Sequence, residues 1–174
     1  MDLPELDKIP INLVLNTIPY KNSFLNKKII NKIRELIDLR YKYSRNWNLM
    51  FSTYEHGFSY KSLISSFLGK KKPFILLIKT NNTVIGIYFE EHLELALNPY
   101  GARKVKLFNE HEVISLKLNE VKIICNEEFL AFGCSEGVYS IFIKKTIREG
   151  EQNVFVKNDK KFKINYLEIW NIIE

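Results

Sequence analysis

Residues 47–53 carry the clearest alternation of apolar and polar side chains in the chain. Trp47, Leu49 and Phe51 alternate with Asn, Met and Ser, which predicts an extended strand. Because side chains on a strand point alternately to opposite faces, we expect these three large groups to pack on one face.

A short helix is predicted directly after this strand. Gly57 breaks the alternation, Ser59 is placed to cap a helix, and Gly69 is the matching stop signal. The predicted helix has four apolar residues at helical spacing: Leu63, Ile64, Phe67 and Leu68.

A β-hairpin is predicted next. Two apolar runs, Phe74–Ile78 and Val84–Phe89, flank a turn that contains Asn81 and Asn82. An asparagine-rich turn between such runs favours a primed or bulged turn, in which asparagine tolerates positive φ.

The chain before this block divides into an arm and a helix. Residues 1–23 follow neither period and contain three prolines, so we predict an N-terminal arm that lies on the domain, with docking on a partner as the alternative. Ser23 or Asn26 can cap the helix that follows. Its apolar stripe consists of Leu25, Ile29, Ile33, Leu36 and Ile37.

Short strands recur in the second half of the chain. The segment after Glu90 predicts a long surface loop, because it is charged and carries a Pro-Tyr-Gly turn signal. Short strands with two helices early in the chain predict an α+β fold, in which two antiparallel β-sheets pack as a sandwich with two or more flanking helices. The predicted strands are 104–108, 112–118, 121–125, 129–132, 139–143 and 166–172, with a weaker candidate at 153–156.

Length and cysteine content limit the class of protein. The 174 residues fit one domain that buries a core without disulfides or a metal. Two cysteines and no signal-peptide pattern indicate a reducing, intracellular location. No stretch approaches the roughly 18 apolar residues that a membrane span needs.

The net charge of +6 raises the question of nucleic-acid binding. The basic residues are 21 Lys and only 5 Arg, and the chain has no recognisable helix-turn-helix, zinc-finger or RNA-binding pattern. We therefore interpret the lysines as a solvated surface and expect no specific nucleic acid, although a basic nucleic-acid-associated domain stays an alternative.

Ser52, Glu55 and His56 supply the residue types of a nucleophilic triad. Residues this close on a strand end and turn usually point apart, so we favour a polar turn in which Glu55 or His56 bonds backbone groups. The chain has no phosphate-binding glycine loop. No catalytic residue is predicted.

Metal and redox chemistry have weak candidates. The three histidines show no ligand spacing, so we predict no metal and no cofactor. Cys134 lies in an exposed-looking turn, but no neighbour lowers its pKa, Glu136 should raise it, and Cys125 looks like a core residue. A cysteine-dependent antioxidant protein stays an alternative function.

Other distinctive residues have structural explanations. Glu168 in the apolar closing strand either faces outward or is buried and hydrogen-bonded, and alternation places it on the face of Trp170. We assign backbone or core roles to a set of glycines and tryptophans: Gly57, Gly86, Gly133, Gly137, Gly150, Trp47 and Trp170.

Three stretches resemble one known family in the right order. The string WNLMFSTYEHGFSYKSL, followed by a hairpin that carries Gly86, resembles the opening of the TLDc domain of the eukaryotic oxidation-resistance family. The strings FLAFGCSEGVYSIFI and FKINYLEIWNI are similar to the family's glycine-rich turn and to its closing strand. The resemblance covers residues 24–174, which are predicted to form a TLDc-like domain.

The resemblance implies a non-catalytic protein-binding domain. Members of the family bind the soluble catalytic sector and peripheral stalks of the vacuolar-type proton pump, regulate its assembly and disassembly, and are linked to protection against oxidative stress. We expect a monomer in the cytoplasm, at the cytosolic face of acidic organelles. Six residues are predicted to meet the partner: Ser52, Glu55, His56, Glu90, Glu91 and Glu168.

Overall fold

The computed structural model describes residue 5 and residues 8–70, 73–101, 104–116, 122–135 and 137–173. The strands in these ranges are β1 (Asn12–Leu15), β2 (Ile18–Pro19), β3 (Asn46–Ser52), β4 (Phe74–Lys79), β5 (Val84–Phe89), β6 (Tyr100–Gly101), β7 (Val105–Phe108), β8 (Val113–Ser115), β9 (Lys122–Cys125), β10 (Phe129–Ser135), β11 (Val138–Lys144), β12 (Glu149–Gln152), β13 (Lys161–Lys163) and β14 (Tyr166–Ile173). The helices are α1 (Lys27–Leu36), α2 (Leu39–Lys42), α3 (Thr53–His56) and α4 (Tyr60–Phe67).

Two sheets form the molecule, as the α+β sandwich prediction requires. The larger sheet has the order β2-β1-β3-β14-β4-β5-β7-β8, and the smaller has the order β13-β12-β11-β10-β9-β6. Neighbouring strands are antiparallel except for β1 and β3, which are parallel. The predicted fold class is therefore confirmed.

The larger sheet is covered on both faces, which explains the continuous apolar runs of β4 and β5. On one face, Leu76 and Phe89 pack with Phe132 of the smaller sheet and with Phe67 of α4. On the opposite face, a second cluster forms beneath α1 and the N-terminal residues, and its members include Trp47, Tyr88, Trp170, Ile33 and Tyr20.

The prediction that Trp47, Leu49 and Phe51 share one face of β3 is wrong for Phe51. Leu49 pairs with Trp170 and Phe51 pairs with Ile169, so Met50 is an extra residue and β3 has a bulge there. The bulge reverses the alternation, because Leu49 packs in the cluster beneath α1 whereas Phe51 packs between the sheets.

The helix and hairpin predictions are confirmed with one change in detail. Ser59 caps α4 through its side chain, and Gly69 has a φ of +65° just beyond the end of the helix. The hairpin turn is not a primed turn, because neither Asn81 nor Asn82 has positive φ. The hydroxyl of Thr80 closes it instead by accepting from the Asn82 amide (3.2 Å).

Several boundaries differ from the prediction. Asn26, and not Ser23, caps α1. The weak strand candidate at 153–156 is wrong, since β12 ends at Gln152 and residues 153–160 form a loop. Part of the predicted arm, β1, extends the larger sheet, while the division of the chain at residue 23 stays a prediction. Residues 117, 118 and 121 of two predicted strands lie outside the described ranges.

Candidate functional site

The structure separates the six candidate residues into two groups. Ser52 and Glu168 are register partners on neighbouring strands, and Glu55 and His56 follow in α3. Glu90 follows the last residue of β5, two strands away from β14, about 13 Å along the strands and about 10 Å across them from Glu168. The six residues therefore do not form one site.

Ser52, Glu55 and His56 do not converge as a triad. The Ser52 hydroxyl accepts from the Tyr54 amide (3.1 Å) and caps α3. His56 Nδ1 lies 3.1 Å from the amide nitrogen of Ser52 and 3.2 Å from its carbonyl oxygen, so the imidazole contacts backbone and not the hydroxyl. Glu55 accepts a long hydrogen bond from Asn22 (3.4 Å). The polar-turn interpretation is confirmed for His56.

The turn after Ser52 has a rigid backbone and an exposed surface. Its last residue, Gly57, has a φ of +69°, which residues with a side chain adopt at a cost. The His56 ring stacks on Phe51 at a centroid distance of 5.3 Å. Tyr54 is 60% exposed, and Glu55 is also exposed. This turn therefore presents an aromatic ring and a carboxylate on a capped backbone.

Glu168 is buried and hydrogen-bonded, which decides between its two predicted environments. Glu168 is 2% exposed and lies on the same face of β14 as Trp170, as alternation predicts. Its carboxylate accepts from the Ser23 hydroxyl (2.8 Å), the Phe24 amide (3.2 Å) and Trp170 Nε1 (2.9 Å). Glu168 therefore fixes residues 23 and 24 to the centre of the larger sheet.

Burial controls the ionisation of this cluster. It raises the pKa of Glu168, against the opposing effect of the hydrogen bonds from Ser23, Trp170 and Phe24. Burial also raises the pKa of Tyr20 to about 12, and the charges of Glu55 and Glu168 act in the same direction. The bulge in β3 places Ser52 on the same face as Glu168.

Glu90 belongs to a neutral network of charges where α2 meets β5. It pairs with Arg40 (2.8 Å), accepts from the buried Tyr88 hydroxyl, and lies 3.9 Å from Lys104. Lys104 also pairs with Asp38. Burial acts to raise the pKa of Asp38, but the hydrogen bonds and charges of Lys104, Glu90 and Arg40 together outweigh burial, and the pKa is lowered. This network joins the helical layer to the sheet.

Of the six residues, Glu55 and His56 are exposed and Glu91 is half-buried, whereas Ser52, Glu90 and Glu168 are buried. The buried three do not present their side chains to a partner in this structure. Their partner-binding role stays a prediction, and we do not include them in the contact surface proposed below.

Sequence reasoning did not single out an apolar groove beside α4. Two adjoining clefts of about 400 and 370 Å³ share Leu95, Asn126 and Glu127 in their walls. Leu95 is 53% exposed and Leu97 is 89% exposed. The only sequence signal was the alternation of leucines in ELALN, which we assigned to a surface loop.

The packing around Trp47, Trp170 and Gly86 supports a structural role for these three residues. Trp47 and Trp170 are fully buried. A Cβ on Gly86 would overlap the ring of Phe108, so glycine allows β5 and that ring to approach closely.

The two cysteines differ in environment. Cys125 is fully buried beside Tyr60, and burial raises the pKa of its thiol to about 11. Such a thiol carries almost no thiolate at neutral pH, which argues against a reactive role. Cys134 is half-buried, and Glu136 lies outside the described residues.

Neither a metal cluster nor a membrane span is found in the part of the chain that the structure describes. There, no three His, Cys, Asp or Glu side chains lie close enough together to hold a metal ion. No helix in the same ranges is long and apolar enough to cross a membrane.

Comparison with known proteins covers almost the whole chain. A family model described as the TLDc domain matches residues 18–173. Relatives named "Oxidation resistance protein 1" are 23% identical in Yarrowia lipolytica, over all of this chain and 83% of the relative, and 27% identical in Saccharomyces cerevisiae, over 87% and 74%. A relative of that name in Xenopus tropicalis is 26% identical over 71% of this chain but only 16% of its own length.

Proposed function

The chain belongs to the TLDc domain family, and on this premise we propose that it is a non-catalytic protein-binding domain. It binds the soluble catalytic sector and stalks of the vacuolar-type proton pump and regulates their assembly with the membrane part. The observation that carries this proposal is the family match over residues 18–173. A role in protection against oxidative stress belongs to the same proposal, because the relatives are named for it.

Such an activity needs no active site. A domain that binds the detached sector more tightly than the assembled pump moves the equilibrium toward detachment by the difference in its two binding free energies. A domain with equal affinity for the two states moves nothing, however tightly it binds. The property required of this chain is therefore a surface that distinguishes the two states.

Two accessible surfaces support the proposal. One is the turn with Tyr54 and Glu55, whose backbone is fixed by the cap at Ser52. The other is the groove beside α4 with Leu95 and Leu97, where exposed leucines next to a cleft suit burial against another protein. The excess of lysine on the chain would speed its encounter with an acidic partner.

A pull-down from native cell extract at moderate salt, read by mass spectrometry, tests this function. The wild-type bait should recover several pump-sector subunits in a fixed ratio. Leu97→Glu and Glu55→Lys change exposed side chains, and we expect either change in the contact surface to reduce recovery by about tenfold.

Val138→Glu is the matched control, because Val138 is also exposed but lies in the smaller sheet. It should leave recovery unchanged. Recovery of no pump subunit by the wild type would overturn the proposed function. An equal loss with Val138→Glu would overturn the assignment of the surface.

A further inference from the structure

The outermost strand of the smaller sheet, β13, has one side without a neighbouring strand in the described structure. The Gln152 amide donates to the Lys160 carbonyl (2.8 Å), so the backbone groups of residues 160, 162 and 164 face β12. In an antiparallel ladder, the backbone N–H and C=O groups of successive residues point alternately toward and away from the neighbouring strand. The N–H and C=O groups of Lys161 and Lys163 therefore point away from the sheet.

A cleft lies beside this edge. It has a volume of about 210 Å³, and its walls are the hairpin loop at residues 80–83 and the segment 158–163. The loop contributes Asn81 and Asn82 to the lining, and Asn81 Oδ1 accepts from Asn165 Nδ2 (2.6 Å). An extended segment that entered the cleft would meet polar side chains on one side and the backbone edge on the other.

The edge is also basic. Lys157, Lys160, Lys161 and Lys163 lie within seven residues, and in the described part of the chain none of the four forms an ion pair. The acidic groups nearby are Glu149, Glu151 and Asp159. Glu149 pairs instead with Lys144 (3.1 Å). Four lysines against three carboxylates, one of which is already paired, leave positive charge at the edge.

A buried glutamine holds the loop that carries these lysines. Gln152 is 3% exposed, and its Nε2 donates to the carbonyls of Phe155, Asn158 and Asp159, each at 3.1 Å. Its Oε1 accepts from the Phe155 amide (2.7 Å). The loop tip, Val156, is nevertheless 96% exposed. A fixed loop loses little conformational entropy when a partner binds.

Lysines on an edge strand also serve to prevent unwanted strand pairing. The cleft beside β13 and the exposed Val156 favour a binding role for this edge, because neither is needed to prevent unwanted strand pairing. Free backbone groups select an extended polypeptide over a lipid or a nucleic acid. Among the described residues, the arginine near the edge is Arg148, which lies over the Phe58 ring (4.1 Å) and does not supply a phosphate-binding fork here.

We propose that β13 is a docking edge for an acidic, extended segment of another protein, which adds to the smaller sheet as a strand. This inference goes beyond the proposed pump function and does not depend on it.

Two peptide probes test the edge: a fluorescent octapeptide of alternating Glu and Val, and the same peptide with N-methylated backbone amides. Binding is measured by fluorescence polarisation, and amide hydrogen exchange is followed at Lys161 and Lys163. The test variant is Lys161→Gln with Lys163→Gln. Glutamine is chosen because glutamate would face Glu149 and Glu151 across the ladder. The control, Lys27→Gln with Lys28→Gln, removes the same charge from exposed positions in α1.

We expect the unmodified peptide to bind the wild type and the α1 control equally, to bind the β13 variant at least about fivefold more weakly, and to slow exchange at both lysine amides. The N-methylated peptide should bind poorly, because it cannot complete the ladder. Equal weakening by the α1 control or equal binding of the N-methylated peptide would overturn the proposal. So would failure of the peptide to bind while an oligonucleotide or anionic vesicles do.

Discussion

Replacing Glu168 by glutamine tests the physical account of the buried cluster. The carboxylate accepts three hydrogen bonds, from Ser23, Phe24 and Trp170. A glutamine has one oxygen, and its amide nitrogen cannot accept, so at least one of these bonds is lost. Losing one hydrogen bond at a buried site costs about 1 kcal/mol, and an unpaired donor left behind costs about 1–3 kcal/mol. At acidic pH Glu168 is protonated, but its two oxygens keep more acceptor capacity than the single oxygen of glutamine, and its proton can be donated to the Ser23 hydroxyl. We therefore expect Glu168→Gln to be about 1–2 kcal/mol less stable there.

The deficit should shrink as the pH rises. The pKa of Glu168 is raised in the folded protein, so the folded state holds this proton more tightly than the unfolded state does. Glu168 therefore contributes fully to the stability of the wild type below the pKa that it has in the unfolded chain. This contribution is lost as the pH rises through the pKa of Glu168 in the folded protein. Glutamine does not titrate, so the variant escapes this loss.

Urea unfolding between about pH 4 and about pH 7.5 measures the difference in unfolding free energy between wild type and variant, and the other titrating groups largely cancel. Glu55→Gln is the matched control: the same change at an exposed carboxylate should cost less than about 0.5 kcal/mol. A deficit that grows with pH would refute the reasoning about burial. If the variant and the wild type had the same free energy of unfolding at every pH, the claim that these hydrogen bonds stabilise the fold would be refuted.

Two further changes test the packing and the redox alternative. Gly86→Ala places a methyl group in the ring of Phe108, which should cost about 1–3 kcal/mol of unfolding free energy in a denaturant titration. Gly101→Ala, with open space at the Cβ, should have little effect, and equal losses would contradict the packing argument. Cys125→Ala with Cys134→Ser should leave peroxide consumption unchanged, since we propose a binding domain and not a cysteine-dependent enzyme. For Cys125, burial also raises the pKa of the thiol to about 11. Loss of peroxide consumption would restore the antioxidant alternative.

Local pattern was sufficient for the elements whose packing follows from neighbouring residues. The helix after Ser59 and the β4–β5 hairpin were predicted from spacing and stop signals. Alternation also placed Glu168 on the face of Trp170. These features are determined by residues close together in the sequence, and hydrophobic periodicity is a signal on that length scale.

Features that depend on distant strands were not predicted. The bulge at Met50 exists because β14 pairs with β3 from the other end of the chain, and it decides that Ser52 and not Phe51 faces Glu168. The strand β1 has no clear period, because its place is set by parallel pairing with β3. The separation of Glu90 from Glu168 follows from strand order, which residue types do not specify.

The central claim concerns binding that depends on the state of the pump. Its most direct test is the affinity of the purified protein for the detached soluble sector of a vacuolar-type proton pump, measured beside its affinity for the assembled pump under the same conditions. The account predicts measurable binding with different affinities for the two states, and weaker binding of Leu97→Glu. Equal affinities, or no binding to either state, would contradict it.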